Sequence, residues 1–173
     1  IKVAAPLLDA ISIEDKNITA DALLTQRKFA SYLVEERKAH YFLTVKSNQP
    51  TVKEDIEFYF DNINRPADFT DESDSGHGRM EIRHIWTTSD LMGYLDFPHV
   101  EQAFKIKRQF TDKKTGRVSK ETVYGITSRS EEEADAQKIL KIVRGHWSIE
   151  NSCHYILDWN FDEDRSRIRT EHG

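Results

Sequence analysis

Cysteine is almost absent: Cys153 stands alone in 173 residues. No internal disulfide framework is possible, and the composition fits a reducing compartment, which for this chain means the cytoplasm. No apolar run approaches the ~18 residues that a membrane span requires. No basic-then-apolar leader of the kind that directs secretion is present either. Internal repeats and low-complexity tracts are missing. So is a net positive charge: the sum is −5, which argues mildly against a nucleic-acid binder. What the chain does have is core-forming material. Hydrophobic residues make up 38%, including nine Phe, six Tyr and three Trp, enough for one domain of ordinary size. A charged fraction of 32% and a mean hydropathy of −0.68 give it a heavily solvated surface. It starts at Ile1 without Met and stops at Gly173, as a piece of a longer protein would.

The net charge hides an asymmetry. Between Lys105 and Lys120 seven basic residues (Lys105, Lys107, Arg108, Lys113, Lys114, Arg117, Lys120) face one acid, Asp112. Arg165, Arg167 and Arg169 form a second basic cluster. Local patches of this kind, rather than net charge, bind phosphates.

Periodicity and punctuation outline the elements. Pro6 to Ile11 reads as a short helix, and Asn17 to Ala22 as a weak strand ending near Asp21. Thr25 to Ala39 carries Phe29, Tyr32 and Leu33 at helical spacing. Tyr41 to Val45 is a β-rich run, and the capping box Thr51–Glu54 opens a helix that buries Ile56, Tyr59 and Phe60. Residues 62–78 read as loop. Met80 to Thr88 is a candidate strand. Phe104 to Phe110, the turn Asp112–Gly116 and Glu121 to Thr127 predict a hairpin with a basic tip. Ser130 and Glu133 then predict the start of the longest helix. Alternating strands and helices imply an α/β layer, with residues 72–129 as a β-rich insertion.

That last helix contains a misplaced charge. At 100° per residue, Ile139, Leu140, Ile142, Val143, Trp147, Ile149, Cys153, Ile156 and Leu157 share one arc. Lys141, Arg144, Ser148, Ser152 and Tyr155 fill the other side, and Trp147 reads as a core residue. Glu150 falls inside the apolar arc, flanked by His146 and His154. A carboxylate on a packed face is costly unless it is paired, protonated or metal-bound. One reading is a buried glutamate satisfied by a basic side chain; the other is a functional site, favoured by the two accompanying histidines. A zinc site on His146, Glu150 and His154 is disfavoured, because the three span about 12 Å of helix. Asp158, Asn160 and Asp162 resemble the start of a calcium loop, but Glu163 replaces its glycine and Arg169 its terminal glutamate.

Several ordered segments resemble the H-repeat-associated transposases, a branch of the DDE insertion-sequence transposases. Arg144-Gly-His-Trp-Ser-Ile-Glu-Asn-Ser-Cys-His154, with Leu157-Asp158, Phe161, Glu163-Asp164 and Arg165 to Arg169, is similar to the family pattern RGHWxIENxxHxxLDxxFxEDxxRxR. Ile18 to Ala22 with Thr25-Gln26 resembles the segment bearing the family's second aspartate. Lys46-Ser-Asn-Gln49-Pro50 resembles KxNQP, and Gly76 to Arg83 resembles GHGRxExR.

The resemblance implies an RNase H-like fold with the β-rich insertion before the glutamate-bearing helix. It implies Asp21 and Glu150 as catalytic, metal-binding carboxylates for Mg²⁺ or Mn²⁺, 129 residues apart (150 − 21). Hard oxygen ligands suit such ions, which serve DNA cleavage and strand transfer. His146, Asn151, His154, Gln49 and His77 would support the ligands or the DNA. Lys105, Lys107, Arg108, Lys113, Lys114, Arg79, Arg165 and Arg167 would contact DNA phosphates. The expected partners are the element's terminal repeats, target DNA and a second copy in a homodimer, with no membrane. One part of the pattern is missing. The family's first aspartate has no counterpart: Asp9 lies in a helix pattern and Asp15 in a loop. The chain thus reads as a partial catalytic domain over 1–173, lacking the first strands and inactive by itself. The alternative is a non-catalytic remnant that binds DNA or a full-length transposase.

Overall fold

In a computed structural model, residues 4–74 and 79–149 are described. The elements in chain order are α1 (Ala4–Asp9), β1 (Asn17–Ala20), α2 (Arg27–Ser31), β2 (His40–Val45), α3 (Pro50–Asp61), β3 (Phe69–Asp74), β4 (Arg79–Thr88), β5 (Gln102–Asp112), β6 (Val118–Thr127) and α4 (Ala136–Ile149). A 3₁₀ turn (Ala22–Leu24) precedes α2, and a π-helical turn (Tyr32–Glu36) continues it. The six strands form one sheet in the order β1-β2-β6-β5-β4-β3. β1 and β2 run parallel, as a strand–helix–strand crossover requires, and every other pair is antiparallel. The fold is α/β. The stretch expected as an insertion adds its strands to this same sheet. No helix among the described residues is long and apolar enough to cross a membrane.

Strand alternation divides the core in two. Ala20, Tyr41, Leu43, Val45, Ala103, Tyr124 and Ile126 face α2, α3 and the segment bearing Leu91, Leu95 and Phe97. On the other side Phe42, Ile85, Phe104 and Ile106 pack under Ile139, Leu140 and Val143 of α4. Of the helical arc drawn from sequence, Ile139, Leu140 and Val143 lie on the buried face of α4, with Lys141 and Arg144 exposed.

Three expectations need correction. The capping box Thr51–Glu54 does not open α3, which begins at Pro50 with no side-chain cap from its N-cap residue, Gln49. Residues 69–74 are not loop but the edge strand β3. The segment Phe-Thr-Asp-Glu-Ser-Asp lacks apolar alternation because charge pairs help to hold it: Asp71 accepts from both Arg83 and Arg144. The long helix also starts later than Ser130. The capping-box bonds do form, with Ser130 N–H and Oγ–H donating to Glu133 at 3.1 and 3.2 Å, but they close a single turn. Asp135 caps α4 instead, accepting from Lys138 N–H at 2.8 Å.

Glu133 makes the fold pH-sensitive at this turn. The Ser130 backbone N–H, then the Arg129 guanidinium, hold its carboxyl below the ordinary value of 4.5. A depressed folded-state pKa contributes stability above the unfolded value and loses it as pH falls through the folded one. Glu133→Gln should therefore cost about 0.5 kcal/mol at pH 7, the side chain being partly solvent-screened. It should also flatten the loss of stability below about pH 4.5. Urea unfolding at pH 3.5, 5 and 7 checks this; parallel curves for the two proteins would be the contrary result.

Candidate active site

Asp21 is the first residue past β1, and its backbone is still extended (φ −67°, ψ 162°). Ala20 faces the α2–α3 side, so alternation turns Thr19 and Asp21 toward α4. The Asp21 carbonyl accepts from Leu24 N–H at 2.9 Å, which starts the 3₁₀ turn. Its carboxyl is held below the usual carboxylate range, first by the Ala22 backbone N–H and then by Lys46 and His146. Its side chain is 62% exposed, within reach of solvent ions.

α4 crosses to this strand end. His146 Nδ1 and Thr19 Oγ1 lie 3.1 Å apart, joining residues 127 positions apart in sequence. The apolar residues Ile139, Leu140 and Val143 bury the preceding turns and so aim this face of the helix at β1. The structure brings Asp21 and His146 together. Glu150, Asn151, His154, Arg165, Arg167 and His77 lie outside the described residues. Among the described residues no three His, Cys, Asp or Glu side chains form a metal-binding group.

The turn after β2 locks onto the turn after β1. Asn48 Nδ2–H donates to Ala22 O at 2.5 Å and to Thr25 O at 3.2 Å. Gln49 Nε2–H donates to Thr25 O at 3.0 Å, and Thr25 Oγ–H to Thr44 O at 2.7 Å. Gln49 therefore acts on the backbone of the Asp21 turn. Lys46, first residue past β2, places Nζ 3.5 Å from Asp21 Oδ1. Lys46, Asn48, Thr19 and Thr25 were not singled out from sequence. The motif Lys46-Ser-Asn-Gln-Pro was the only signal for the first two.

Asp9 and Asp15 are both engaged elsewhere. Asp9 pairs with Arg37 and Tyr32, and Asp15 with Arg129. Neither joins Asp21.

The basic strand and hairpin divide into different roles. Lys105 is buried, 2.7 Å from Asp61 at the end of α3, so its ammonium is already paired away from solvent. Arg108 is half-buried between Glu81 and Glu121. Lys107 is exposed and lies over the Trp86 ring at 5.6 Å. Lys113 and Lys114 stand exposed in the β5–β6 turn, where Asp112 accepts from Lys114 and Thr115 N–H and Gly116 takes φ +68°. The backbone of Arg79 opens β4 opposite Asp112. Farther along the same motif, Glu81 and Arg83 form a buried ion pair at 2.5 Å. A cleft lined by Tyr59, Asp68, Asp90 and Asp135 contains none of the residues expected at the site.

Asp21 thus lies at the carboxyl edge of two parallel strands, on the side that α4 covers. The family model for the transposase DDE domain matches residues 1–173. The chain belongs to that family. It is 31% identical over 172 residues to "Putative transposase YncI" of Escherichia coli O157:H7, covering 94% of this chain and 43% of that protein. It is 28% identical over 177 residues to "H repeat-associated putative transposase YhhI" of Escherichia coli strain K12, with 94% and 44% covered. "Putative protein YbfL" of the same strain has the same identity and coverage. The resemblance to H-repeat-associated transposases is therefore borne out. The chain spans less than half the length of the curated relatives it matches.

Proposed function

We propose that this chain is part of an RNase H-like transposase catalytic domain that cleaves and joins DNA, with Asp21 and Glu150 as two of its metal ligands. One observation carries the reading: Asp21 lies accessible at the end of β1, on the side covered by α4. Glu150 follows His146 by four residues, one helical turn in sequence. The donor chemistry fits a hard divalent ion, since Asp21 offers exposed carboxylate oxygens. Mg²⁺ or Mn²⁺ bound there would activate a water or a DNA 3′-hydroxyl and stabilise the leaving oxygen. The remaining work falls to the protein. Asn48 and Gln49 fix the turn behind Asp21, and Thr19 orients the His146 ring beside it. Lys107, Lys113 and Lys114 are the exposed cations proposed to meet DNA phosphates, joined on sequence grounds by Arg79, Arg165 and Arg167. Lys105 and Arg108, already paired with Asp61, Glu81 and Glu121, would have to exchange an acid for a phosphate to join them. Terminal repeats, target DNA and a homodimer are the proposed partners.

The test uses the longest native product on DNA carrying the element's ends. Asp21→Asn and Glu150→Gln should each lower nicking in Mg²⁺ by at least about 10³-fold, the loss of several kcal/mol of charge stabilisation. Both should weaken Mn²⁺ binding by calorimetry. Unchanged Mn²⁺ binding in both variants sinks the site assignment. A second reading, a non-catalytic protein that binds DNA or a full-length transposase, is favoured by the engagement of Asp9 and Asp15 with other partners. DNA binding without nicking by the unaltered protein would decide for it.

A further inference from the structure

We propose that Lys46 is a phosphate-contact residue of the Asp21 site, exchanging its carboxylate partner for a DNA phosphate when a divalent ion takes Asp21. The proposal rests on the reading of Asp21 as a metal ligand.

Topology makes the juxtaposition. β1 and β2 are parallel, with Ala20 opposite Leu43, so their carboxyl ends open on the same edge of the sheet. In open α/β sheets that edge is where ligands gather. Asp21 and Lys46 are each the first residue beyond their strand. Four hydrogen bonds from Thr25, Asn48 and Gln49 tie the two turns together. Buried Val45 and Val52 anchor the Lys46 turn on either side. The backbone of Lys46 is therefore held beside Asp21, while its side chain is left to move.

The ion pair itself has little to do with stability. At 3.5 Å, with both side chains more than 60% exposed, it is a loose, solvent-screened contact. Exposed pairs of this type add little to stability. A compact ammonium on a four-carbon stem suits another task, the neutralisation of a phosphate oxygen. A divalent ion on Asp21 repels the ammonium from the carboxylate. A phosphate drawn to that ion supplies the nearest replacement anion. The other side chain facing Asp21, His146, comes from α4 and is engaged with Thr19. It cannot follow a phosphate without leaving that hydroxyl. The turn runs directly into α3, whose N-terminus has no side-chain cap, so the local backbone field favours an anion as well.

The two halves of the proposal predict effects of opposite sign. Lys46→Ala in the longest native product should tighten Mn²⁺ binding about fivefold in the absence of DNA, because a competing cation is gone. With Mn²⁺ present, the same change should weaken binding of a 40-base-pair duplex roughly fivefold. It should also reduce the slope of log K against log salt by about 0.9, the signature of one lost phosphate contact. Lys46→Arg should restore the slope, and Lys46→Gln should not. Thermal unfolding of each variant should match the unaltered protein, since the side chain is exposed. An unchanged salt slope in Lys46→Ala, or weaker Mn²⁺ binding, overturns the proposal. Asp21→Ala separates the two readings. If it abolishes Mn²⁺ binding while Lys46→Ala leaves the slope intact, only the Lys46 proposal fails. If it leaves Mn²⁺ binding intact, the metal-ligand reading fails and the Lys46 proposal with it.

Discussion

Glu81→Gln should destabilise the protein by about 3 kcal/mol, the cost of breaking a buried ion pair from one side. For a domain of this size that lowers the melting temperature by on the order of 10 °C. The Glu81 carboxylate is 7% exposed and sits between two guanidinia, 2.5 Å from Arg83 Nη2 and 3.2 Å from Arg108 Nε. Glutamine keeps the volume but removes the charge, leaving Arg83 and Arg108 to repel each other across β4 and β5. Burial already lowers the pKa of Arg83, so little further loss of compensation is tolerable. Converting the pair together, Glu81→Leu with Arg83→Met, should recover most of the loss, because a well-packed apolar pair needs no compensating charge. Urea unfolding of the single and double variants measures both. A single variant within 0.5 kcal/mol of the parent, on the order of a neutral surface change, would show that water already solvates these arginines.

Gly125→Ala should cost about 3 kcal/mol, at the upper end of the usual penalty for overpacking. Gly125 lies in the central strand β6, between Phe104 on β5 and Thr44 on β2. A Cβ built there meets the Phe104 ring and comes within 2.8 Å of the Leu43 carbonyl oxygen. The ring is 1% exposed and has nowhere to turn without displacing the layer under α4. Phe104→Leu should relieve the first contact but not the second, which is backbone. The combined variant should therefore recover only part of the loss. The strain also reaches the site, because the neighbouring Thr44 carbonyl accepts from Thr25 in the Asp21 turn. Calorimetric melting, with Mn²⁺ affinity as a second reading, tests this. Equal stability of Gly125→Ala and the parent would count against it.

The sequence made some of this legible. The buried arc of α4 could be drawn because Ile139, Leu140 and Val143 repeat at helical spacing. β5 was visible for the corresponding reason, the alternation from Phe104 to Phe110, and β2 as the β-rich run from Tyr41 to Val45. β3 was hidden because Asp71 answers to Arg83 and Arg144, which are distant in sequence. The start of α4 was misplaced because Ser130 and Glu133 do make capping-box bonds, while the cap that α4 uses, Asp135, stands five residues on. Lys105 read as an outward cation because its partner Asp61 is 44 positions away. Asp21 was marked by resemblance, and its neighbours Thr19, Lys46 and His146 gather around it only through the parallel strand pair and the crossing of α4.

That long-range assembly sets an order of events in folding. β3 to β6 form a meander whose pairings each close a short stretch of chain. Joining β2 to β6 pairs Phe42 with Thr127, and the His146–Thr19 contact spans still more chain. Loop-closure entropy and contact order put such pairings late. The basic β5–β6 hairpin therefore takes shape early, whereas Asp21 acquires its surroundings among the last. A nascent or partly unfolded chain would display its exposed lysines before the surroundings of Asp21 have formed.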